Sequence, residues 1–593
     1  MLSSNRIHAS LLLPLITAAA AACAPTPRAA TPDAATIAER VPDAWAYPLH
    51  PPTATAPDAM VTSDAPLATD VGLEVLRAGG NAIDAAIATA FALAVVYPEA
   101  GNIGGGGFMV VRMADGETAA LDFREKAPLA ATRDMFLDEA GEPTDASWTG
   151  YLASGVPGSV MGLWEAHRHF GSRPWAELVA PAIRLAADGF VVDEALEESI
   201  RDEAETLRLF ESSRELYLSG GEPPATGTVW RNPDLAATLR RIAENGAAGF
   251  YEGRTAELTA AEMRRGGGLI TVEDLARYEA EWREPIRFDY RGHEVISMPP
   301  SSSGGITLAL IARVLEHWDL ASLGWHSPDH LHVLTEAMRL AFADRNHYLG
   351  DPDFVTIPRE RLLSDAYAER RAASIRLDRA TPSAAVEPGL GIAESDHTTH
   401  FAIVDPAGNA VSLTTTINGL YGSGVVVGGA GFVLNNEMDD FTSKPGEPNA
   451  YGLVQGEANA IVPEKRMLSA MTPTIVVGPD GRVLLVTGAR GGPRIITGVF
   501  QVLSNVVDFG MDIGTAVNAP RIHHQHLPDV LYYERQGLTE EQIAALRARG
   551  HDVRERDGYI GSAPSILARD DGWRALADPR TAGLEAHGAA VGF

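Results

Sequence analysis

The sequence predicts a mixed α/β protein, and two observations support this fold class. Segments with apolar residues at helical spacing alternate with short strand-like runs up to about residue 390, and the part from His400 onward is richer in strands. The chain has 593 residues, 45% hydrophobic and 21% charged, which is ordinary globular composition with ample material for a large core. A formal net charge of −30 argues against nucleic-acid binding, which needs clustered cations.

The N-terminal residues have the character of an export signal. Arg6 precedes an apolar run at residues 9–19, and three alanines then lead into Cys23. The run is too short for a comfortable membrane span, so residues 1–22 are predicted to be a signal peptide. Cys23 after small residues resembles a bacterial lipobox, which predicts a periplasmic protein anchored to the cell envelope through a lipid on Cys23. Ala20 stands where lipoboxes usually carry leucine, so ordinary cleavage is the alternative.

The following segments predict a tether and then the first globular elements. Residues 23–58 are rich in Ala, Pro and Thr, a composition that favours a disordered tether. Residues 67–77 and 82–96 have the pattern of helices, and the second is nearly all apolar. At that length, and with Asp84 inside it, this second segment is expected to be a core helix and not a membrane span. The glycines at 101–107 lead into a strand and lack a phosphate-loop ending, so they indicate close backbone packing.

A pair of threonines at the start of a predicted strand carries the main chemical signal. Thr398 and Thr399 follow His397, and a second strand-like run at residues 410–418 contains Thr416. A threonine hydroxyl inside a chain is a poor nucleophile. At a new N-terminus, its own α-amine, with a pKa of about 7.7–8.0, can accept the hydroxyl proton near neutral pH. Cleavage between His397 and Thr398 would therefore create a nucleophile.

This site and a series of further blocks resemble the γ-glutamyltranspeptidases. The blocks occur in the order of that family at residues 100–107, 122–128, 154–158, 298–305, 349–354, 397–400, 434–441, 465–474, 487–497 and 518–525. The resemblance covers roughly residue 58 to the C-terminus. It implies an N-terminal-nucleophile fold, which is a four-layer αββα sandwich. It also implies a precursor that cuts itself into a large subunit, residues 59–397, and a small subunit, residues 398–593, which stay together as a heterodimer.

The resemblance implies a γ-glutamyltransferase and glutathione hydrolase that needs no cofactor. Thr398 would attack the γ-carbonyl of glutathione or another γ-glutamyl compound, and water or the amine of an amino acid or peptide would resolve the acyl-enzyme. Thr416 matches the threonine that hydrogen-bonds the nucleophile. Gly491 and Gly492 match a glycine pair whose backbone N–H groups stabilise the oxyanion.

The resemblance also implies the substrate contacts. Arg124 matches a clamp for the α-carboxylate, for which a guanidinium is suited by its bidentate geometry. Glu437 and Asp440 match the partners of the α-ammonium, and Asn418 matches a further polar contact.

Two features concern the substrate pocket itself. Ser469 matches a hydroxyl donor to the carboxylate, but Ala470 stands where members usually carry a second serine. A missing hydroxyl to a charged oxygen would weaken binding by about 1–3 kcal/mol. The loop at residues 441–456 resembles the lid of the pocket in bacterial members, with Tyr451 at its gate.

Two alternative functions remain at this point. One is a cephalosporin or glutaryl acylase of the same superfamily, against which Asp440 counts because a glutaryl group has no ammonium to pair with it. The other is a non-catalytic envelope binding lipoprotein, which failure to self-cleave would support.

Histidine clusters do not predict a metal site. The cluster at residues 523–526 has no paired carboxylate or second histidine motif at zinc spacing. His330 and His332 lie two apart on a predicted helix, so they point to different faces.

Overall fold

The computed structural model describes residues 34–386, 398–444, 456–580 and 588–593. The predictions for the signal peptide with Cys23, for the cleavage residue His397 and for Tyr451 of the lid lie outside these ranges. Within them, none of the helices combines the length and the apolar character needed to cross a membrane.

The described chain folds into helices and strands from near its N-terminus to its C-terminus. The helices are α1 (Ala34–Glu39), α2 (Pro66–Arg77), α3 (Ala82–Val96), α4 (Ser159–Phe170), α5 (Trp175–Asp188), α6 (Glu194–Asp202), α7 (Ala204–Leu207), α8 (Glu211–Tyr217), α9 (Pro233–Asn245), α10 (Ala248–Tyr251), α11 (Gly253–Gly266), α12 (Val272–Ala276), α13 (Gly304–Leu315), α14 (Leu320–Leu323), α15 (Pro328–Tyr348), α16 (Arg359–Leu362), α17 (Asp365–Ser374), α18 (Arg494–Val507), α19 (Ile513–Asn518) and α20 (Glu540–Ala548). The strands are β1 (Ala54–Ala56), β2 (Met60–Ser63), β3 (Gly106–Arg112), β4 (Thr118–Phe123), β5 (Phe190–Val191), β6 (Val229–Trp230), β7 (Glu281–Arg283), β8 (Ile286–Tyr290), β9 (His293–Ser297), β10 (Thr398–Val404), β11 (Ala410–Thr416), β12 (Thr474–Val477), β13 (Val483–Thr487), β14 (Ile522–His523), β15 (Leu531–Glu534), β16 (Val553–Arg556), β17 (Ser565–Arg569), β18 (Gly572–Leu576) and β19 (Ala589–Gly592).

Two large sheets form the centre of the molecule. In the described residues each has seven strands, in the orders β19-β2-β10-β11-β3-β4-β7 and β1-β18-β17-β13-β12-β9-β8. Neighbouring strands in both sheets run antiparallel. We refer to the first as the nucleophile sheet, because its strand β10 begins with the predicted nucleophile Thr398, and to the second as the outer sheet.

Alternate side chains of β10 show how the layers pack. Phe401 and Ile403 join a core with α2 and α3, whereas Ala402 and Val404 join a core that includes Ile475 of the outer sheet. This division follows from the two-residue period of a strand. The core behind the outer sheet continues into α13, α15 and α18. The layers are therefore helix, sheet, sheet and helix, and the predicted αββα sandwich is confirmed.

The predicted helices near the N-terminus are confirmed with nearly the same bounds. The core helix α3 spans Ala82–Val96 and is buried along its whole length. Asn81 caps it, and the side chain of Asp84 accepts a hydrogen bond from the Asn81 backbone N–H at 3.0 Å. The charge inside an otherwise apolar helix is thus part of a capping box.

The predicted disordered tether is wrong for its described C-terminal part. Ile37 and Val41 are buried, and β1 pairs with β18 of the outer sheet. The indole N–H of Trp45 donates to the Asn518 carbonyl at 3.1 Å, and the Arg580 guanidinium lies over the Trp45 ring. A few apolar and aromatic side chains are sufficient to attach a segment whose average composition resembles a linker.

The strand directions place several strand ends at one edge of the nucleophile sheet. Thr398 at the start of β10 lies opposite Thr416 at the end of β11, and Thr416 lies opposite Gly106 at the start of β3. Gly107 in turn lies opposite Phe123, the last residue of β4. This edge, which we call the active edge, therefore collects residues that are distant in sequence.

Candidate active site

The predicted nucleophile and its threonine partner are adjacent at the active edge. Thr398 Oγ1 lies 3.5 Å from Thr416 Oγ1, at the outer limit of hydrogen-bond distance. Thr416 Oγ1 accepts the backbone N–H of Asn418 at 2.8 Å, and Asn418 has a φ of 71°. Both threonines are buried. The chain therefore turns sharply after β11 and directs a backbone donor to the hydroxyl that faces Thr398.

The same face of β10 contacts the outer sheet through His400. Its Nδ1 lies 2.9 Å from Thr414 Oγ1, and burial lowers the pKa of His400 to about 3, so the ring is neutral. A Cβ added to Gly488 would lie 2.3 Å from His400 Cε1. The chain leaving β13 therefore passes directly over β10, and a glycine is required at this contact.

The predicted oxyanion glycines follow three residues later. Gly491 and Gly492 have φ values of 125° and 60°, which residues other than glycine rarely adopt. The preceding residue, Arg490, exchanges backbone hydrogen bonds with Ser562 at 2.9 and 3.0 Å, which fixes the entry to the pair. Two successive left-handed residues are thus built into the loop that passes over the nucleophile strand.

Arg124, the predicted carboxylate clamp, follows β4 at the active edge. Its Nη1 lies 2.7 Å from Glu437 Oε2, and its Nη2 forms an ion pair with Asp440. Its Nε donates to the Met467 carbonyl at 3.3 Å. All of these side chains are buried. The structure therefore brings Arg124, Glu437 and Asp440 together, and we call these three residues the clamp. They form ion pairs with one another.

The clamp contains more carboxyl groups than its guanidinium can balance. Glu125 Oε2 also lies 3.6 Å from Arg124 Nη1. Burial raises the pKa of Asp440 well above its ordinary value, an effect that Arg124 opposes and Glu437 increases. Burial likewise raises the pKa of Glu125 to about 8. The raised pKa values mean that these carboxyl groups hold protons where counter-charges are missing, so the cluster favours a ligand that carries a cation.

The remaining predicted contacts lie next to the clamp. Asn418 Nδ2 donates to the Asn436 carbonyl at 2.9 Å, and Asn436 directly precedes Glu437. Ser469 Oγ accepts the Met471 N–H at 3.2 Å, which leaves the hydroxyl proton to be donated. Ala470 is fully buried in the core of the outer sheet.

Sequence reasoning missed several residues at the active edge. Asn102 Nδ2 donates to the Thr416 carbonyl at 2.9 Å, and Asp64 accepts the Thr399 hydroxyl at 2.9 Å. Ser147 donates to Asp439 at 2.6 Å, and burial raises the pKa of Asp439 to about 6. Asn102 lies within the family-like block at residues 100–107, whereas Asp64 and Ser147 carry no local signal.

A histidine cluster lies apart from these residues. His332 Nδ1 and His551 Nε2 are 2.7 Å apart, and Glu336 comes within 4.8 Å of both. Arg339 forms an ion pair with Glu336 and lies 3.4 Å from His551 Nδ1. His332 Nε2 is 2.7 Å from the Arg376 carbonyl. Because an arginine already supplies a cation there, the cluster is explained as a hydrogen-bonded core network.

The chain is similar to known proteins over most of its length. The family model described as gamma-glutamyltranspeptidase matches residues 68–588. The glutathione hydrolase proenzyme of Escherichia coli (strain K12) is 48% identical over 530 residues, which cover 89% of this chain and 91% of that one. The crystal structure of cephalosporin acylase from Bacillus halodurans superposes with a TM-score of 0.80 at 30% identity, covering 93% of this chain and 98% of that one. A chain of Helicobacter pylori gamma-glutamyltranspeptidase gives a TM-score of 0.55 at 44% identity, covering 57% of this chain and 97% of its own.

Proposed function

The chain belongs to the γ-glutamyltranspeptidase family and is a γ-glutamyltransferase and glutathione hydrolase, and we propose that Thr398 is its nucleophile, released by self-cleavage after His397. The observation that carries this assignment is the position of Thr398 at the first residue of β10, with its Oγ1 3.5 Å from Thr416 Oγ1. Cleavage at this bond would leave the nucleophile fixed by a sheet and not by a loop.

Self-cleavage follows from the same two hydroxyls. Thr398 Oγ1 attacks the carbonyl carbon of His397, the C–N bond breaks, and the chain is joined through an ester. The hydroxyl proton passes to the departing nitrogen, so this step frees the α-amine of Thr398. Water then hydrolyses the ester, which separates the two chains and restores the Thr398 hydroxyl, and the amine becomes the base for later turnovers. Thr416 orients the attacking hydroxyl, and its own hydroxyl is oriented by the Asn418 N–H.

The catalytic cycle uses the free α-amine and the glycine pair. The amine accepts the proton of Thr398 Oγ1 as the oxygen attacks the γ-carbonyl carbon of the donor. Backbone N–H groups of Gly491 and Gly492 stabilise the resulting oxyanion, for which removal of one donor typically costs about 10²–10³ in rate. The α-ammonium of Thr398 returns the proton to the departing nitrogen as the amide C–N bond breaks. Water or an acceptor amine later attacks the γ-glutamyl ester.

The clamp determines the substrate class. The α-carboxylate and α-ammonium of a γ-glutamyl group share one carbon atom, so their protein partners must also be adjacent. Arg124 supplies the cation, and Glu437 and Asp440 supply the anions directly beside it. A bound zwitterion would therefore exchange the pairing of Arg124 with these carboxylates for two ion pairs to the substrate, one from its α-carboxylate to Arg124 and one from its α-ammonium to the acidic side chains.

One experiment distinguishes this substrate class from the acylase alternative, which the similarity to cephalosporin acylase keeps relevant. Hydrolysis of γ-glutamyl and glutaryl anilides by the self-cleaved protein would be compared at equal concentrations. We expect the γ-glutamyl donor to be preferred by at least about 100-fold, because the glutaryl group leaves Asp440 and Glu437 without an ammonium. Equal or better turnover of the glutaryl donor would assign the protein to the acylases instead.

Export and lipid attachment are part of the proposal. The apolar run at residues 9–19 and Cys23 after small residues support a secreted precursor whose mature N-terminus carries a lipid. Cell fractionation and mass spectrometry of the N-terminal peptide would test this. Membrane association that persists in Cys23→Ser would exclude Cys23 as the anchor.

A further inference from the structure

Arg490 lies beside the proposed oxyanion glycines with part of its guanidinium unused. Its side chain is buried, with 3% of its surface exposed. Nη1 donates to the Tyr97 hydroxyl and lies 3.9 Å from Glu99 Oε1. Nε and Nη2, although buried, have no hydrogen-bond partner among the described residues. One part of the guanidinium is thus hydrogen-bonded. The Nε–Nη2 edge, which we call the open edge, has no hydrogen-bond partner in the described part of the chain.

The donors on the open edge suit a carboxylate. Nε and Nη2 form one edge of the planar guanidinium, and their two N–H bonds match the two oxygens of a carboxylate. Buried N–H groups are nearly always paired in proteins, and leaving charged donors unpaired destabilises the fold. The open edge of Arg490 therefore indicates an anionic ligand.

The position of Arg490 identifies which part of a substrate would reach it. Asp64 follows β2, which pairs with β10 on the side away from β11, and accepts the Thr399 hydroxyl. Arg490 lies close enough to Asp64 to oppose the rise in its pKa that burial causes. Arg124 lies on the other side of β10, at the end of β4, about three strand spacings or roughly 14 Å away. Thr398 is thus located between two arginines.

A γ-glutamyl substrate at Thr398 would extend in both directions, and this step rests on the proposed function. Its α-carboxylate and α-ammonium would lie at Arg124 and Asp440. The group on the nitrogen side of the reacting bond would extend the opposite way, toward Asp64 and Arg490.

We propose that the Nε–Nη2 edge of Arg490 binds the carboxylate of the amino acid or peptide on the nitrogen side of the reacting bond. In glutathione hydrolysis this is the carboxylate of the departing peptide, and in transfer it is that of the acceptor. During transfer the neutral acceptor amine attacks the γ-carbonyl carbon of the ester. A C–N bond forms, the bond to Thr398 Oγ1 breaks, and one amine proton passes through the Thr398 α-amine to Oγ1.

Tyr559 covers this site from the outside. The Arg490 Cζ lies 5.6 Å from the centroid of the Tyr559 ring, and the ring is half-exposed. Tyr559 follows Gly558, which is exposed and has a φ of 101°. A carboxylate that enters from solvent reaches Arg490 by displacing this ring.

The test compares ligands that differ only in the carboxylate. Transfer from γ-glutamyl-p-nitroanilide would be measured with glycylglycine and with glycylglycinamide as acceptors. Hydrolysis would be measured with glutathione and with its C-terminal amide. For the wild-type protein we expect kcat/KM to favour the free acid by about 10- to 100-fold in both pairs, the range for hydrogen bonds to a charged group. In Arg490→Gln this ratio should fall to about one.

Controls separate loss of the carboxylate contact from loss of the fold. Arg482→Gln removes an exposed arginine that pairs with Asp480, and should keep the wild-type ratio. Self-cleavage on a gel reports folding, and Arg490→Lys, which keeps the buried charge, serves as the test if Arg490→Gln fails to cleave. A wild-type ratio near one, or an unchanged ratio in the Arg490 variant, would overturn this inference. Absence of any γ-glutamyl hydrolysis by the wild-type protein would overturn the proposed function instead.

Discussion

Thr398 and Thr416 lie directly opposite each other across β10 and β11, with their hydroxyl oxygens 3.5 Å apart. The backbone N–H of Asn418 donates to the Thr416 hydroxyl at 2.8 Å, so that hydroxyl is oriented before any substrate binds. A sheet register, set by pairing along two whole strands, therefore fixes the geometry of the proposed nucleophile.

The first prediction concerns this hydroxyl pair. Thr416→Val keeps the shape of the side chain but removes its oxygen, and should slow self-cleavage and kcat by about 10- to 100-fold, because orientation of Thr398 is lost. Thr416→Ser keeps the oxygen and should remain within about threefold of wild type. Subunit formation over time on a gel and kcat for a chromogenic donor would measure both. Equal rates in the Val and Ser variants would show that the Thr416 oxygen has no role.

The second prediction concerns the clamp. Asp440→Asn should lower kcat/KM for γ-glutamyl donors by at least about 100-fold, because a buried ammonium would lose its anion and Arg124 its partner. Asp439→Asn is the matched control, because Asp439 accepts a hydrogen bond from Ser147. This substitution should lower kcat/KM for γ-glutamyl donors far less. Comparable losses in the two variants would refute the assignment of Asp440. Self-cleavage should persist in both.

The third prediction concerns the departure at Ala470. Ala470→Ser should lower KM for γ-glutamyl donors by up to about tenfold with little change in kcat, because a second hydroxyl would bind ground state and transition state alike. The site is fully buried, so an added hydroxyl needs a partner there. Steady-state kinetics would measure the effect. An unchanged or higher KM would mean that the pocket does not lack a donor.

The fourth prediction concerns the pH dependence of stability. Burial raises the pKa of Glu125 from its ordinary value of about 4.5 to about 8, so the folded state holds this proton more tightly than the unfolded state. The resulting stability is fully present below about pH 4.5 and is lost as the pH rises through about 8. Glu125→Gln should therefore raise Tm by about 1–3 °C relative to wild type at pH 9 and have a smaller effect at pH 5.

Its control is Glu139→Gln, which changes an exposed carboxylate of the same type. Thermal unfolding at several pH values would compare the three proteins. A difference between wild type and Glu125→Gln that does not grow with pH would contradict the raised pKa.

The parts of this fold that were predictable from sequence depend on local patterns. The core helix α3 has the predicted bounds because its apolar run and its capping residues are contiguous. The start of β10 at Thr398 was likewise apparent from the threonine pair and the β-branched run that follows. The resemblance, and not periodicity, gave the four-layer arrangement of the sheets.

The rest depends on contacts between distant residues. Arg124 and Asp440 are 316 residues apart in the chain, so their ion pair could not be derived from either segment alone. The open edge of Arg490 also could not be predicted from the sequence. It exists because Tyr97, which is distant in sequence, pairs with Nη1 and leaves Nε and Nη2 without a partner among the residues that the structure describes. The segment containing Trp45 resembles a tether by composition, because an average over the segment conceals a few anchoring side chains.

The most direct test of the account is the N-terminal sequence of the smaller chain after purification. The wild-type protein should yield two chains, and the smaller should begin Thr-Thr-His-Phe, as in residues 398–401. Thr398→Ala should remain one uncleaved chain without γ-glutamyl hydrolysis, because no hydroxyl is available to attack the His397 carbonyl. Two chains from Thr398→Ala, or a smaller wild-type chain with another first residue, would contradict the assignment of Thr398 as the nucleophile.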